Sequence, residues 1–186
     1  AFSAPASIPM GYGTTPNSVA VGDLNEDGNA DLVTANGAGT VATLIGVGDG
    51  TFGPPTFQPA GTGTESVALG DVNGDGNLDA VASDTGDTNI NVLLGNGAGA
   101  LATASPFDAG HLNYSDALGD MNGDGKLDVA LAQGAGTQTA RLLNTSAYTP
   151  KVSVAPTSGA TSGGTEFTVT GTNFTGATKV KFGSTS

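Results

Sequence analysis

The sequence predicts an all-β protein built of repeated, multi-stranded units and ending in a shorter β segment of different pattern. Three observations carry this expectation. Turn-forming residues are dense, with 31 glycines and nine prolines among 186 residues, and they cut the chain into short runs. Those runs are alternating or partly β-branched, and none carries an apolar stripe of helical length. A nine-residue pattern, D-x-N-x-D-G-x-x-D, occurs at 23–31, 71–79 and 120–128, with starts 48 and then 49 residues apart.

The repeat extends well beyond the nine-residue pattern. Ahead of each copy stand Phe2-Ser-Ala-Pro, Phe52-Gly-Pro-Pro or Leu101-Ala-Thr-Ala, then a glycine (Gly11, Gly61, Gly110). A first strand candidate follows from Ser18, Ser66 or Ser115, then the pattern itself. Second candidates begin at Leu32, Ala80 and Val129, and third ones at Thr40, Asn89 and Thr139. Glycine-rich turns from Gly46 and from Gly95 separate the repeats. A period near 50 residues with up to four short strands per unit is the signature of a β-propeller blade. Residues 1–149 are therefore expected to form three four-stranded blades, at about 1–51, 52–100 and 101–149. Closed propellers use about four to eight blades. Three blades imply further blades elsewhere, association of copies, or an open arc whose strand edges need covering.

Within the pattern, oxygen-bearing side chains occupy positions 1, 3, 5 and 9, and glycine occupies position 6. A hard cation such as Ca²⁺ needs this alternation from a tight loop, with a backbone carbonyl added at position 7. The candidate ligands are Asp23, Asn25, Asp27, Asn29 and Asp31 in the first loop. They are Asp71, Asn73, Asp75, Asn77 and Asp79 in the second, and Asp120, Asn122, Asp124, Lys126 and Asp128 in the third. Position 12 holds Thr34, Ala82 and Leu131, so no bidentate glutamate closes an EF-hand. An ordinary Asx-rich turn explains one such stretch. It does not explain three with the same carboxylates, whose mutual repulsion opposes folding unless something neutralises them. Position 4 (Glu26, Gly74, Gly123) is expected to face solvent. Positions 2 and 8 (Leu24, Val72, Met121 and Ala30, Leu78, Leu127) are expected to anchor each loop to a core.

These loops, the run Val92-Leu-Leu-Gly-Asn-Gly and the turn Gly48-Asp-Gly-Thr-Phe-Gly-Pro-Pro together resemble FG-GAP/VCBS repeats, the blades of integrin-α-type propellers and of many bacterial surface proteins. The resemblance covers residues 1 to about 149. It implies one Ca²⁺ per loop on the residues named above, and adhesive or recognition roles rather than catalysis. Position 3 is Asn in all three loops where Asp is commoner, which lowers ligand charge and predicts a weaker site.

After Pro150 the repeat stops. Val152/Val154, Phe167/Val169 and Val180/Phe182 alternate with polar residues and predict three half-buried strands. With Pro156-Thr-Ser-Gly, Ser162-Gly-Gly-Thr and Val169-Thr-Gly-Thr-Asn-Phe, residues 150–186 resemble the opening of an IPT/TIG domain, an immunoglobulin-like sandwich. Such a sandwich takes about 100 residues. The segment is therefore expected to be incomplete, either truncated or completed by strands of a neighbouring subunit.

Composition narrows the function. The formal charge is −12, with 17 acidic and 5 basic residues, and nine of the acids are loop aspartates. One Ca²⁺ per loop would bring the charge to about −6. No basic patch exists to meet nucleic acid phosphates. There is no cysteine, and no apolar run long enough to span a membrane. A chain beginning at Ala1 without a leader-like stretch is expected to be processed or a fragment. A single histidine, His111 in a glycine-bounded loop, and no nucleophile–base arrangement argue against an enzyme. The expectation is a secreted or cell-surface, calcium-stabilised structural or adhesive protein that self-associates through blade edges and the incomplete C-terminal segment, as in a filament. The alternative is a carbohydrate- or protein-binding module of a larger propeller–TIG protein, with Tyr12, Tyr114 and Phe107 as candidate sugar contacts. Asn113, Asn144 and Asn173 head glycosylation sequons.

Overall fold

The computed structural model describes residues 2, 4–11, 14–134, 139–148, 152–155 and 168–171. Among these there are strands and turns and no helix. The chain divides into two compact units, residues 1–72 with 77–145, and residues 73–76 with 146–186.

Among its described residues the first unit holds three antiparallel sheets. Strands β1 (Pro16–Gly22), β2 (Asp31–Asn36), β3 (Thr40–Leu44) and β4 (Thr56–Pro59) form the first, in that order. Strands β5 (Thr64–Gly70), β6 (Asp79–Asp84), β7 (Asn89–Leu93) and β8 (Ser105–Asp108) form the second in the same way. The third has β9 (Asn113–Gly119), β10 (Asp128–Gln133) and β11 (Thr139–Leu142). The equivalence is local as well as topological. Each first strand carries a bulge at the same place, at Asn17, Glu65 and Tyr114, where the register to the second strand shifts.

Burial follows position in the sheet. β6 is buried along its whole length, whereas the outer strands β4 and β8 are mostly exposed. Pro59 and Pro106 fall on those outer strands, where the missing N–H costs no ladder bond. One apolar core lies between the first two sheets, with Val33, Ala35 and Val41 facing Val67, Ala80 and Ala82. A second joins Val81 and Ile90 to Val129 and Leu131. Adjacent sheets also lock at their inner strands. A Cβ on Gly22 would lie 2.6 Å from Leu78 Cδ1, and Leu127 Cδ1 stands over Gly70 in the same way.

The structure changes two expectations. The sheets are offset from the sequence repeats: the opening segment of each repeat is the outer strand of the sheet before it, Thr56–Pro59 on β3 and Ser105–Asp108 on β7. The third unit is consequently not four-stranded among the described residues, because after β11 the repeat gives way to a segment of different pattern. The loop anchors also vary. Leu24 is buried and Val72 packs on the second core, but Met121 and Ala30 are exposed. Glu26 and Gly123 face solvent as expected, whereas Gly74 is buried.

One buried charge breaks the repeat. Val19 and Val67 become Asp116 in β9. Both Asp116 carboxylate oxygens are out of solvent without a hydrogen-bond partner. Burial pushes this carboxyl above its ordinary value, partly offset by the Ser66 and Ser83 hydroxyls nearby. The folded state thus binds the proton more tightly than the unfolded chain. Its stability is greatest below the unfolded value of 3.8 and falls as pH rises from there through the raised folded value. Asp116→Val should raise the unfolding free energy at neutral pH by about 1–3 kcal/mol and flatten that pH dependence. Urea titrations of both proteins across pH 3–7 read the effect; a destabilised variant would contradict it.

Among its described residues the second unit has one hairpin, β12 (Val152–Ala155) paired antiparallel with β13 (Thr168–Gly171). Of the three strands expected there, these supply the first two. Phe167, Val180 and Phe182 lie outside the described residues.

Candidate metal centre

Each nine-residue loop joins the innermost strand of a sheet to the next: β1 to β2, β5 to β6, β9 to β10. The three loops therefore occupy the same corner of three equivalent sheets. Their backbones turn sharply. Position 4 takes positive φ even as a non-glycine (Glu26, 58°), and the glycine at position 6 has φ of 87°, 86° and 82° at Gly28, Gly76 and Gly125.

This turn brings the odd-numbered side chains inward. In the first loop the Asp27 N–H donates to both Asp23 Oδ1 (3.1 Å) and Asn25 Oδ1 (3.2 Å), so oxygens from positions 1 and 3 share one donor. The Gly28 N–H donates to Asp23 Oδ2 at 2.8 Å, and the Asn29 N–H to Asp27 Oδ1 at 2.7 Å. The third loop repeats this: Asp124 N–H to Asp120 Oδ1 (3.2 Å) and Asn122 Oδ1 (2.9 Å), Gly125 N–H to Asp120 Oδ2 (2.8 Å). In the second loop, within residues 73–76, the Asp75 N–H donates to Asn73 Oδ1 at 2.8 Å. The Asn29 and Gly125 N–H groups hold the Asp27 and Asp120 carboxyls below the ordinary carboxylate value. Lys126 Nζ stands 4.0 Å from Asp124 Oδ2, an exposed and weak pair that places a cation beside the third loop.

Position 9 has a role that the sequence alone did not reveal. Asp31 is fully buried, and its two oxygens accept the N–H groups of Leu24 (2.8 Å) and Gly46 (2.7 Å). Asp79 does the same for Val72 (2.9 Å) and Gly95 (2.8 Å), and Asp128 for Met121 (3.0 Å) and Asn144 (2.7 Å). Each carboxylate thus ties the loop start to the chain leaving the third strand. The close approach requires glycine at two of these sites, since a Cβ on Gly46 or Gly95 would strike the carbonyl of Ala30 or Leu78. At the third, Asn144 is accommodated and its Nδ2 donates to the Leu127 carbonyl at 3.2 Å and the Val72 carbonyl at 2.7 Å. The available signal was the spacing from position 9 to Gly46, Gly95 and Asn144.

Among the described residues, no three Asp, Glu or His side chains are drawn into a ready-made cluster. The reason is visible: position 9 is engaged with backbone, leaving two carboxylates and an amide at each turn. The donor set is nevertheless all oxygen and anionic, and positions 1 and 3 already converge, which fits a hard divalent cation.

The other singled-out residues are dispersed. Phe107 is on an outer strand and Tyr114 on an inner strand, both exposed, while Tyr12 lies outside the described residues. Asn113 is buried, with its Nδ2 3.5 Å from the Thr88 carbonyl. With the Asn144 amide also engaged, neither side chain is free for a glycan in the folded protein. Asn173 lies outside the described residues, and His111 is exposed as expected.

The FG-GAP-like repeat family matches residues 23–82, from the first residue of the first loop into β6. The chain carries an FG-GAP-like repeat. The IPT/TIG domain family matches residues 151–186, in the order the sequence motifs indicated. No curated protein matches the chain. An FG-GAP-like repeat followed by an IPT/TIG segment suggests an extracellular adhesion-type or surface module. Among the described residues no helix is long and apolar enough to cross a membrane.

Proposed function

We propose that this chain is a secreted, calcium-stabilised structural or adhesive protein, acting as a subunit of a repetitive extracellular assembly such as a filament. In this reading the three FG-GAP-like sheets are propeller-type blades. The observation that carries it is the recurrence of one oxygen-rich loop at the same corner of three stacked sheets. Positions 1, 3 and 5 of each loop (Asp23, Asn25 and Asp27 in the first) and the carbonyl at position 7 would hold the ion, while the position 9 carboxylate, engaged with two backbone N–H groups, fixes the loop to the chain leaving the third strand. When bound, Ca²⁺ supplies the positive charge that neutralises these carboxylates and ties loop to strand. The same ligands leave no evident place for a substrate, so the metal is structural and the protein works through its surface.

The assembly reading draws on edges that the sheets leave open among the described residues, since such edges invite strand pairing. Sedimentation in Ca²⁺ and in EDTA tests it. Particles much larger than one chain are expected in Ca²⁺. A compact monomer in Ca²⁺ would remove the assembly and leave a calcium-stabilised surface module.

A further inference from the structure

The junction between consecutive sheets is made twice in the same manner, and among the described residues the first and the third sheet each carry half of such a junction without its counterpart. At each internal junction the leading segment of one repeat becomes the outer strand of the preceding sheet. Thr56–Pro59 pairs with β3 (Thr43 opposite Thr56), and Ser105–Asp108 pairs with β7 (Val92 opposite Ser105). Four residues ahead of those strands, Phe52 and Leu101 bridge to Gly46 and Gly95 at the end of the same preceding sheet. The chain then turns at Gly61 or Gly110, both with positive φ. It lays its next inner strand against the previous one, with Val67 only 6% exposed.

Residues 2–11 repeat this leading segment position for position. Phe2 and Gly11 are spaced as Phe52 and Gly61 are, Pro5 and Pro9 match Pro55 and Pro59, and Gly11 shares the positive φ. Among the described residues this segment pairs with no sheet. Residues 6–9 are exposed and in no strand, and the Phe2 side chain is fully exposed. Val19 and Val21, equivalent to Val67 and Leu69, are 59% and 63% exposed. The third sheet shows the complementary open edge. Among the described residues β11 has no strand on its outer side. Met121 is exposed where Leu24 is buried, and nothing stands over Gly119 where leucines cover Gly22 and Gly70.

We propose that the leading segment of a second copy of this chain completes the third sheet. Residues 6–9 of that copy pair antiparallel with β11, and its β1 packs on β9 as β5 packs on β1. The register follows from the internal junctions. Leu142 faces Val129 on β10 as Leu44 faces Leu32 and Leu93 faces Ala80. Arg141 is therefore the counterpart of Thr43 and Val92, and Ala6 of the second copy stands opposite it. The proposal rests on the assembly reading above and gives it an interface. The same chain's own segment is not the occupant, because it is in place, exposed and outside any sheet. The contact is heterologous, so repetition gives a ring if the rotation closes and a filament if it does not.

The absence of cysteine permits a direct test on the full chain. Opposed residues of an antiparallel pair have Cα atoms about 4.5–5.5 Å apart, within disulfide reach. The variant Ala6→Cys/Arg141→Cys, oxidised in Ca²⁺ after circular dichroism shows it folded, is compared with Ala6→Cys/Thr139→Cys, which is two residues out of register. Ala6→Cys alone reports any link between position 6 of one copy and position 6 of another. Species of two or more chains on non-reducing gels, at least about fivefold more abundant for the in-register pair, are expected. A disulfide confined to single chains would overturn the proposal, because the segment would then close on its own third sheet. Large particles in sedimentation without interchain links would overturn strand donation but leave the assembly reading standing. A monomer without links would remove both.

Discussion

Asp31→Ala is expected to lower the unfolding free energy by about 3 kcal/mol or more, and to do so equally in EDTA. Its carboxylate is buried and accepts two backbone N–H groups, from Leu24 and Gly46. Hydrogen bonds to a charged group are worth about 1.5–3 kcal/mol each, and alanine leaves both donors without an acceptor inside the protein. Asp31→Asn should be nearly as damaging, because the amide keeps one acceptor and turns its own NH₂ toward the second donor. Asp27→Ala provides the contrast. Asp27 is exposed and caps only its own turn, so its loss should cost under about 1 kcal/mol in EDTA while abolishing the calcium response of that loop. Urea unfolding of the three variants with and without Ca²⁺ separates the two roles. If Asp31→Ala matches the parent in EDTA, the carboxylate is not a structural tie.

If the loops hold Ca²⁺ as proposed, its removal is the second large expected effect. With a Kd of about 0.1 mM at about 1 mM ion, each site contributes roughly 1.4 kcal/mol by mass action. Three sites give about 4 kcal/mol, a large share of the roughly 5–15 kcal/mol typical of a folded domain. At about 2–4 °C per kcal/mol for a chain of this size, EDTA should lower the melting temperature by roughly 8–16 °C. The third loop should contribute least, because the Lys126 ammonium stands beside Asp124. Calorimetry with and without chelator measures the shift. An unchanged midpoint would mean that the loops are self-sufficient turns capped by their own N–H groups.

That alternative is physically real, and it shows where reading the sequence stops. The D-x-N-x-D-G-x-x-D spacing and its recurrence determined where the loops lie, which strands they join and which oxygens share a turn. These are local matters, since alternation along a strand and glycine at position 6 act within a few residues. The candidate strands from Thr40, Asn89 and Thr139 appear as β3, β7 and β11 for the same reason.

Contacts distant in sequence decided the rest. The aspartate at position 9 looks like its neighbours in the pattern, yet its partners at Gly46, Gly95 and Asn144 lie 15 or 16 residues away. Whether Thr56–Pro59 joins the sheet behind it or the sheet ahead depends on which edge is free, and composition carries no record of that. Asn113 has the form of a sequon but is buried, its side chain held between the Thr88 carbonyl and the Gln133 amide, 25 and 20 residues away in the chain. The sequence by itself determined the repeat, its loops and its order of strands. Only the tertiary structure decided which strand completes which sheet and which carboxylate faces inward, because sheet pairing and burial are settled between segments far apart in the chain.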